Sequence, residues 1–140
     1  MVTRLEYVWL DGYKPSHLRS KVRIVEGEAE TKEDCPEWSF DGSSTDQAEG
    51  RYSDMVLKPV RIYINPIEGG HIVFCDVHYP FGEPHISNMR SHTVYNTHLS
   101  NEYWWGFEQE YFIMNKKTKK PLGWPAIGMA EPQGEYYCGV

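Results

Sequence analysis

Through the first half of the chain, apolar and polar side chains alternate in short runs separated by turn-forming residues. Glu6 to Leu10 reads as a strand and Asp11-Gly12 as a tight turn. Leu18 to Val25 reads as the returning strand, because Leu18, Ser20, Val22 and Ile24 alternate with Arg19, Lys21 and Arg23. The pattern predicts a hairpin with a basic outer face turned to solvent. Glu26 to Glu37 is acidic and patternless, and Trp38 to Gly50 is polar, small and rich in Asx and Ser/Thr turn formers, so both are expected to be loops. The second is long for a compact domain, and such loops are functional or mobile. Met55–Leu57, Arg61–Ile64 and Ile72–Val77 read as three more strands, broken by Lys58-Pro59 and by Pro66 to Gly70. Together with the hairpin they predict one mainly antiparallel sheet.

Tyr79 to Pro84 is punctuated by Pro and Gly, and Ser87 to Leu99 carries a weak helical period through Met89, Val94 and Leu99, with Ser87 or Asn88 placed to cap it. A domain boundary is expected here, dividing residues 1–86 from 87–140. Trp104 to Met114 then places Glu108 and Glu110 inside one of the most apolar segments of the chain. Its aromatic and β-branched residues favour an extended backbone, on which Glu108, Glu110, Phe112 and Met114 share a face. At roughly 3.3 Å per residue the two carboxylates stand about 6 to 7 Å apart. That is too far to share a proton, but it suits two divalent cations about 3.5 to 4 Å from each other in a phosphate-handling site. Oxygen donors select Mg²⁺ or Mn²⁺ over zinc. An E-x-E triplet alone is a weak signal, and on the residues alone a solvated edge strand whose carboxylates point at water is the favoured account of it. Lys116 to Lys120 reads as a turn, followed by a Gly/Pro/aromatic tail.

Composition narrows the class. The chain has 140 residues and a net charge of -6, which argues against a nucleic-acid partner because such binders present a basic face. No apolar run approaches the ~20 residues of a membrane span, and the N-terminus has no apolar signal segment. Cys35, Cys75 and Cys138 form no C-x-x-C pair and are expected to be reduced thiols in a cytoplasmic protein. The six histidines show no metal-ligand spacing, and no phosphate-binding glycine motif occurs.

The order of several blocks is more specific than any of these patterns. Glu6–Gly12, Leu18–Lys21, Pro36–Thr45, Gln47–Gly50 and Leu57–Val60 are followed by Gly106–Tyr111, Pro121–Pro125, Pro132–Gly134 and Tyr136–Val140. In this order they resemble glutamine synthetase of the shorter, eukaryotic-like type. The resemblance implies an α+β fold, with a β-grasp-like N-terminal domain over 1–86 and the first strands of an incomplete catalytic domain over 87–140. It implies ATP-dependent ligation of glutamate and ammonia through a γ-glutamyl phosphate, with Mg²⁺ or Mn²⁺, in a homo-oligomer of stacked rings whose sites lie between subunits. Glu108 and Glu110 match metal ligands. Asp41 matches the acid of a loop that crosses to a neighbouring subunit and helps take a proton from ammonium. Trp104 and Tyr137 match aromatics lining the nucleotide and substrate pocket.

Four positions depart from the family pattern. Asp46 stands for a usual Gly, Ile64-Asn65-Pro66 for Arg-Asp-Pro, and Trp105 for Phe. The family's remaining metal ligands and its phosphate- and glutamate-binding arginines lie beyond Val140, so the 140-residue chain is expected to be inactive alone. An alternative expectation is a non-catalytic module that binds or modulates the full-length enzyme.

Overall fold

The computed structural model describes residues 1–95 and 104–132. They divide into two units, Met1–Tyr103 and Trp104–Val140, considered separately below. The first unit is built on strands β1 (Val2–Leu10), β2 (Leu18–Glu26), β3 (Trp38–Asp41), β4 (Asp54–Ile64) and β5 (His71–His78), followed by helix α1 (Met89–Tyr95). The strand order is β2-β1-β5-β4-β3. Three pairings are antiparallel, while the central pair β1·β5 is parallel. The sheet is therefore mixed, and it curls into the half-barrel of an α+β, β-grasp-like domain.

One face of β1, β3, β4 and β5 fills the barrel. Leu5, Tyr7 and Trp9 of β1, Val73, Cys75 and Val77 of β5, Met55 and Leu57 of β4 and Phe40 of β3 are all buried. Ala29 and Cys35 from the segment before β3 join the same cluster, which is how a loop without periodicity contributes to the core. The Tyr7 hydroxyl donates to the Pro36 carbonyl at 2.6 Å, fastening that loop to β1. Burial, reinforced by the neighbouring Cys35 and Cys75 thiols, pushes the Tyr7 phenol up to about 12. Burial likewise pushes the Cys75 thiol up to about 12. Both groups stay protonated and neutral.

The hairpin forms as expected, but its faces are reversed. Leu18, Val22 and Ile24 are 68%, 45% and 58% exposed, while Arg19, Lys21 and Arg23 are half-buried on the barrel side. Specific partners on that side outweigh the apolar alternation. Asp11 takes Arg19, and the Trp38 indole lies beneath Lys21 Nζ at 3.5 Å and Arg23 at 5.6 Å. Lys21 Nζ also donates to the Ser39 carbonyl at 2.7 Å. Because β2 and β3 are the two edges of the sheet, this side chain spans the open seam of the half-barrel.

Two further expectations are corrected. Trp38 to Gly50 is not a single loop: Trp38–Asp41 pairs with β4 before the chain turns into a short 3-10 helix, Gly42–Thr45. Nor does Lys58-Pro59 end a strand. β4 runs through as one element, with a bulge between Pro59 and Arg61. β3 covers β4 only as far as Leu57, so the proline sits where one side of β4 carries no ladder and a missing N–H is tolerated.

Helix α1 also differs from its predicted face. Met89 is 69% exposed, whereas Asn88 and Ser91 are buried, with Ser91 Oγ donating to Asp76 Oδ2 at 3.4 Å and Arg90 pairing with the same atom at 3.0 Å. Asn88 does act as a cap, its Oδ1 accepting from the Ser91 N–H. Leu99 lies outside the described residues. No helix among the described residues is long and apolar enough to cross a membrane.

Lys21→Met is expected to lower stability by about 1 kcal/mol, the usual worth of one cation–π contact and one hydrogen bond. Amide exchange should accelerate in β3 and not in the β4·β5 ladder, and unchanged β3 protection would show that the seam closes without Lys21.

Candidate functional site

Asp41 ends β3 and caps the 3-10 turn that follows it. Its Oδ1 accepts from the Ser43 N–H at 2.9 Å and the Ser43 hydroxyl at 2.6 Å, and Oδ2 accepts from Ser44 Oγ at 3.4 Å. The Ser43 hydroxyl and N–H, aided by Ser44 and Ser53, hold this carboxyl below the usual carboxylate range against a smaller opposing effect of burial. Asp41 is also exposed, so it presents a permanent negative charge at a loop tip near neutral pH. The Asp-Gly-Ser-Ser order produces this, since an Asx cap needs a donor two residues on and Gly42 fits where a Cβ would meet Met55 Cγ at 2.6 Å.

The turn is fixed from behind by the end of the β1–β2 hairpin. The Gly12 N–H donates to the Thr45 carbonyl at 2.8 Å, and a Cβ at Gly12 would lie 2.0 Å from the Asp46 carbonyl oxygen. Only glycine permits the two backbones to approach this closely. Asp46 itself adopts a left-handed conformation, φ 57° and ψ 36°, which explains why glycine suits this position and why Asp, which tolerates that region, can replace it.

Asp11, one residue before Gly12, is fully buried and organises the hairpin end. Its Oδ1 accepts from the N–H groups of Tyr13 (3.2 Å) and His17 (2.9 Å), and Oδ2 accepts from Arg19 Nε at 2.9 Å. Burial alone would raise its carboxyl, but the His17 N–H, the Arg19 guanidinium and the Tyr13 N–H together hold it below the ordinary value. On the other side of the Asp41 turn, Gln47 is buried and donates to the Leu10 carbonyl at 3.0 Å and to Ser87 Oγ at 2.9 Å. A cleft of about 830 Å³ opens beside it, lined by Gln47, Glu49, Arg51, Tyr79, Phe81 and His85 among others. No periodicity in the sequence marks Asp11, Thr45, Gln47 or His85 as a group; the first three fall within the Glu6–Gly12, Pro36–Thr45 and Gln47–Gly50 blocks, while no motif marks His85.

In the second unit the structure departs from the expected buried strand. Trp104 to Ile113 has no assigned helix or ladder, and Glu108 and Glu110 are exposed, as is Trp104. A strand needs a partner for its N–H and C=O groups, and among the described residues only the isolated Met114↔Pro121 bridge supplies one. The Lys116–Lys120 turn is present: Asn115 Oδ1 accepts from the N–H groups of Lys117 and Thr118, and the Leu122 N–H closes on the Ile113 carbonyl. Tyr137 lies outside the described residues. Among the described residues, no cluster of three or more His, Cys, Asp or Glu side chains could enclose a metal ion.

A curled mixed sheet with a capped acidic turn at one end defines a β-grasp-like domain. The sequence profile described as "Glutamine synthetase, beta-Grasp domain" matches residues 1–80. The glutamine synthetase of Rhizobium meliloti is 51% identical over 142 residues, covering 98% of this chain and 41% of that protein. That of Bradyrhizobium diazoefficiens is 48% identical, covering 98% and 39%. The chloroplastic glutamine synthetase of Chlamydomonas reinhardtii is 42% identical, covering 96% and 39%. The chain belongs to the glutamine synthetase family and corresponds to its N-terminal part. It spans about two fifths of the length of these relatives.

Gly12→Ala is expected to cost about 1–3 kcal/mol, because the clash is with backbone rather than a movable side chain. Urea unfolding should show a lowered midpoint, and hydrogen exchange should show lost protection at the residue-12 amide; an unchanged midpoint would mean that the two turns separate freely. Asp11 stabilises the fold above its unfolded pKa of about 3.9, and that contribution is lost as pH falls through its lower folded value. Asp11→Asn should therefore be destabilised at pH 7 and approach the parent as pH falls through the lowered folded value, as read by thermal melts across pH. An equal deficit throughout would assign the effect to packing instead.

Proposed function

We propose that this chain is the N-terminal part of a glutamine synthetase that ligates glutamate and ammonia using ATP. Residues 1–86 form the β-grasp domain and 87–140 begin the catalytic domain. In this reading a glutamate side-chain oxygen attacks the γ-phosphorus of ATP and ADP leaves. Ammonia then attacks the acyl carbon, phosphate leaves, and glutamine forms. The observation that supports this most is the exposed, charged Asp41 carboxylate on a rigidly capped turn within a chain of this family.

Asp41 would meet ammonium at the surface of a neighbouring copy, hold it by charge and accept the proton that makes its nitrogen nucleophilic. The serine donors that lower its basicity also fix its orientation, so the carboxylate reaches the cation without reorganising. Glu108 and Glu110 are hard oxygen donors that fit Mg²⁺ or Mn²⁺ as two members of a larger ligand set. Such an ion would neutralise phosphate charge as it develops. Trp104 and Tyr137 would line the nucleotide and substrate pocket, offering flat apolar faces to a base. The site would lie between subunits of a homo-oligomer. The buried free thiols Cys35 and Cys75 are in keeping with a reducing compartment such as the cytoplasm.

On a polypeptide that continues past Val140 as the relatives do, glutamine formation should depend on ATP, Mg²⁺ and ammonium. Asp41→Asn should lower the ammonium-dependent rate by about 10²-fold or more, in the range of general-base catalysis. The 140-residue chain should form no γ-glutamyl hydroxamate above the blank. Turnover by the short chain, or an unaffected Asp41→Asn enzyme, would overturn these assignments.

A further inference from the structure

Behind the Asp41 turn, four buried or half-buried polar groups form a hydrogen-bonded chain with one direction. Thr45 Oγ1 donates to Gln47 Oε1 at 2.8 Å. Gln47 Nε2 faces the Leu10 carbonyl, which can only accept, so this atom is the amide nitrogen and the Gln47 orientation is settled. Its second hydrogen goes to Ser87 Oγ. Ser87 then has one hydroxyl proton left to give, and His85 Nδ1 lies 2.8 Å away. The Ser87 backbone N–H points at the same nitrogen at 3.1 Å. Nδ1 thus receives two donors, which requires the neutral imidazole with its proton on Nε2.

A proton on Nδ1 would set a third donor against these two. The Ser87 hydroxyl can rotate away, but the Ser87 N–H is backbone and remains in place. We propose that the Gln47–Ser87–His85 chain is a pH-sensitive clamp on the Asp41 turn, which protonation of His85 releases. This rests on the reading of that turn as part of the ligase site and adds its regulation. His85 is only 6% exposed and packs under the Tyr79 ring at 4.8 Å. The charged groups along the cleft it faces are Asp46, Glu49, Asp54 and Arg51. The three carboxylates favour an imidazolium and Arg51 opposes it. Burial, opposed in part by the Gln47 backbone, lowers the His85 pKa below its ordinary value. A histidine lowered on folding stabilises the folded arrangement above its unfolded pKa of about 6.5, and that support is lost as pH falls. The clamp therefore closes at neutral pH and opens on acidification.

The turn reports its own state through the N–H groups of Gly12, Gln47 and Ala48, which donate to Thr45 and Gly42 carbonyls. In NMR titrations of the 140-residue chain, the His85 ring signals and these three amides should move with one midpoint below 6.5. After correction for intrinsic rates, exchange at Gln47 and Ala48 should quicken several-fold between pH 7.5 and 5.5, with about tenfold as the ceiling that linkage to an unfolded pKa of about 6.5 allows. His85→Gln should abolish that response, and Ser87→Ala should raise the His85 midpoint while weakening it. A His85 titration that leaves the three amides unmoved, or a response unchanged in His85→Gln, would overturn the clamp. If His85→Gln does not fold, a parental response in Ser87→Ala overturns it instead. None of these readouts needs ligase activity, so an intact clamp on an inactive full-length chain would refute the proposed function alone.

Discussion

A five-stranded sheet with one apolar face and no helix laid across it among the described residues must cover that face with itself, and this governs the first unit. Curling brings Leu5, Tyr7, Trp9, Val73, Val77 and Leu57 into one cluster, with a strapped loop at the side supplying Ala29 and Cys35. The same curl brings β2 and β3 close enough for a lysine to cross between them. Burying the Lys21 stem while leaving its ammonium on an indole face and a carbonyl lets a basic side chain sit where an aliphatic one was expected. Burial and the neighbouring Arg23 both lower the Lys21 pKa, in keeping with a cation partly removed from water.

The candidate site inherits its rigidity from this arrangement. Asp41 stands at the end of an edge strand, a place where chain ends fray, yet its turn is held by the backbone bond from Gly12 of the β1–β2 hairpin and by Gln47 reaching back to Leu10. Asp11 in turn fixes the hairpin end by collecting two backbone donors and a guanidinium on one buried carboxylate. A carboxylate so buried is tolerated only because each oxygen is answered, and removing one answer would leave a costly charge.

Much of the fold was legible in the sequence because strand periodicity and turn dipeptides are local. The hairpin, β5, the Lys116–Lys120 turn and the Asn88 cap follow from residues within a few positions of one another. The orientation of β2 was not legible, since it depends on Trp38 and Asp11, distant in sequence or hidden as a turn former. Strand β3 was missed because Trp38-Ser39-Phe40 is too short to show a period before the polar run begins. For the site, the Asp-Gly-Ser-Ser order carried Asp41, and family resemblance rather than spacing singled out Trp104 and Tyr137. Glu108 and Glu110 looked buried from their neighbours alone, but aromatic neighbours exclude water only when other chain packs over them. Asn65, which stands where the family resemblance implies Asp, has a structural reading. Its Oδ1 caps the Ile67 and Glu68 amides as Asp would, and its Nδ2 donates to Glu6, which Asp could not do.

The reversed β2 strand has a consequence for handling the protein. Leu18, Val22 and Ile24 form an outward row of branched aliphatic side chains on a strand whose far side has no ladder partner among the described residues. An edge with open N–H and C=O groups and a sticky flank is the kind that natural sheets blunt with charge, yet here the charges point the other way. Colloidal behaviour at this edge is thus decoupled from folding stability: substitutions that leave the core untouched can still change how concentrated a solution the chain tolerates.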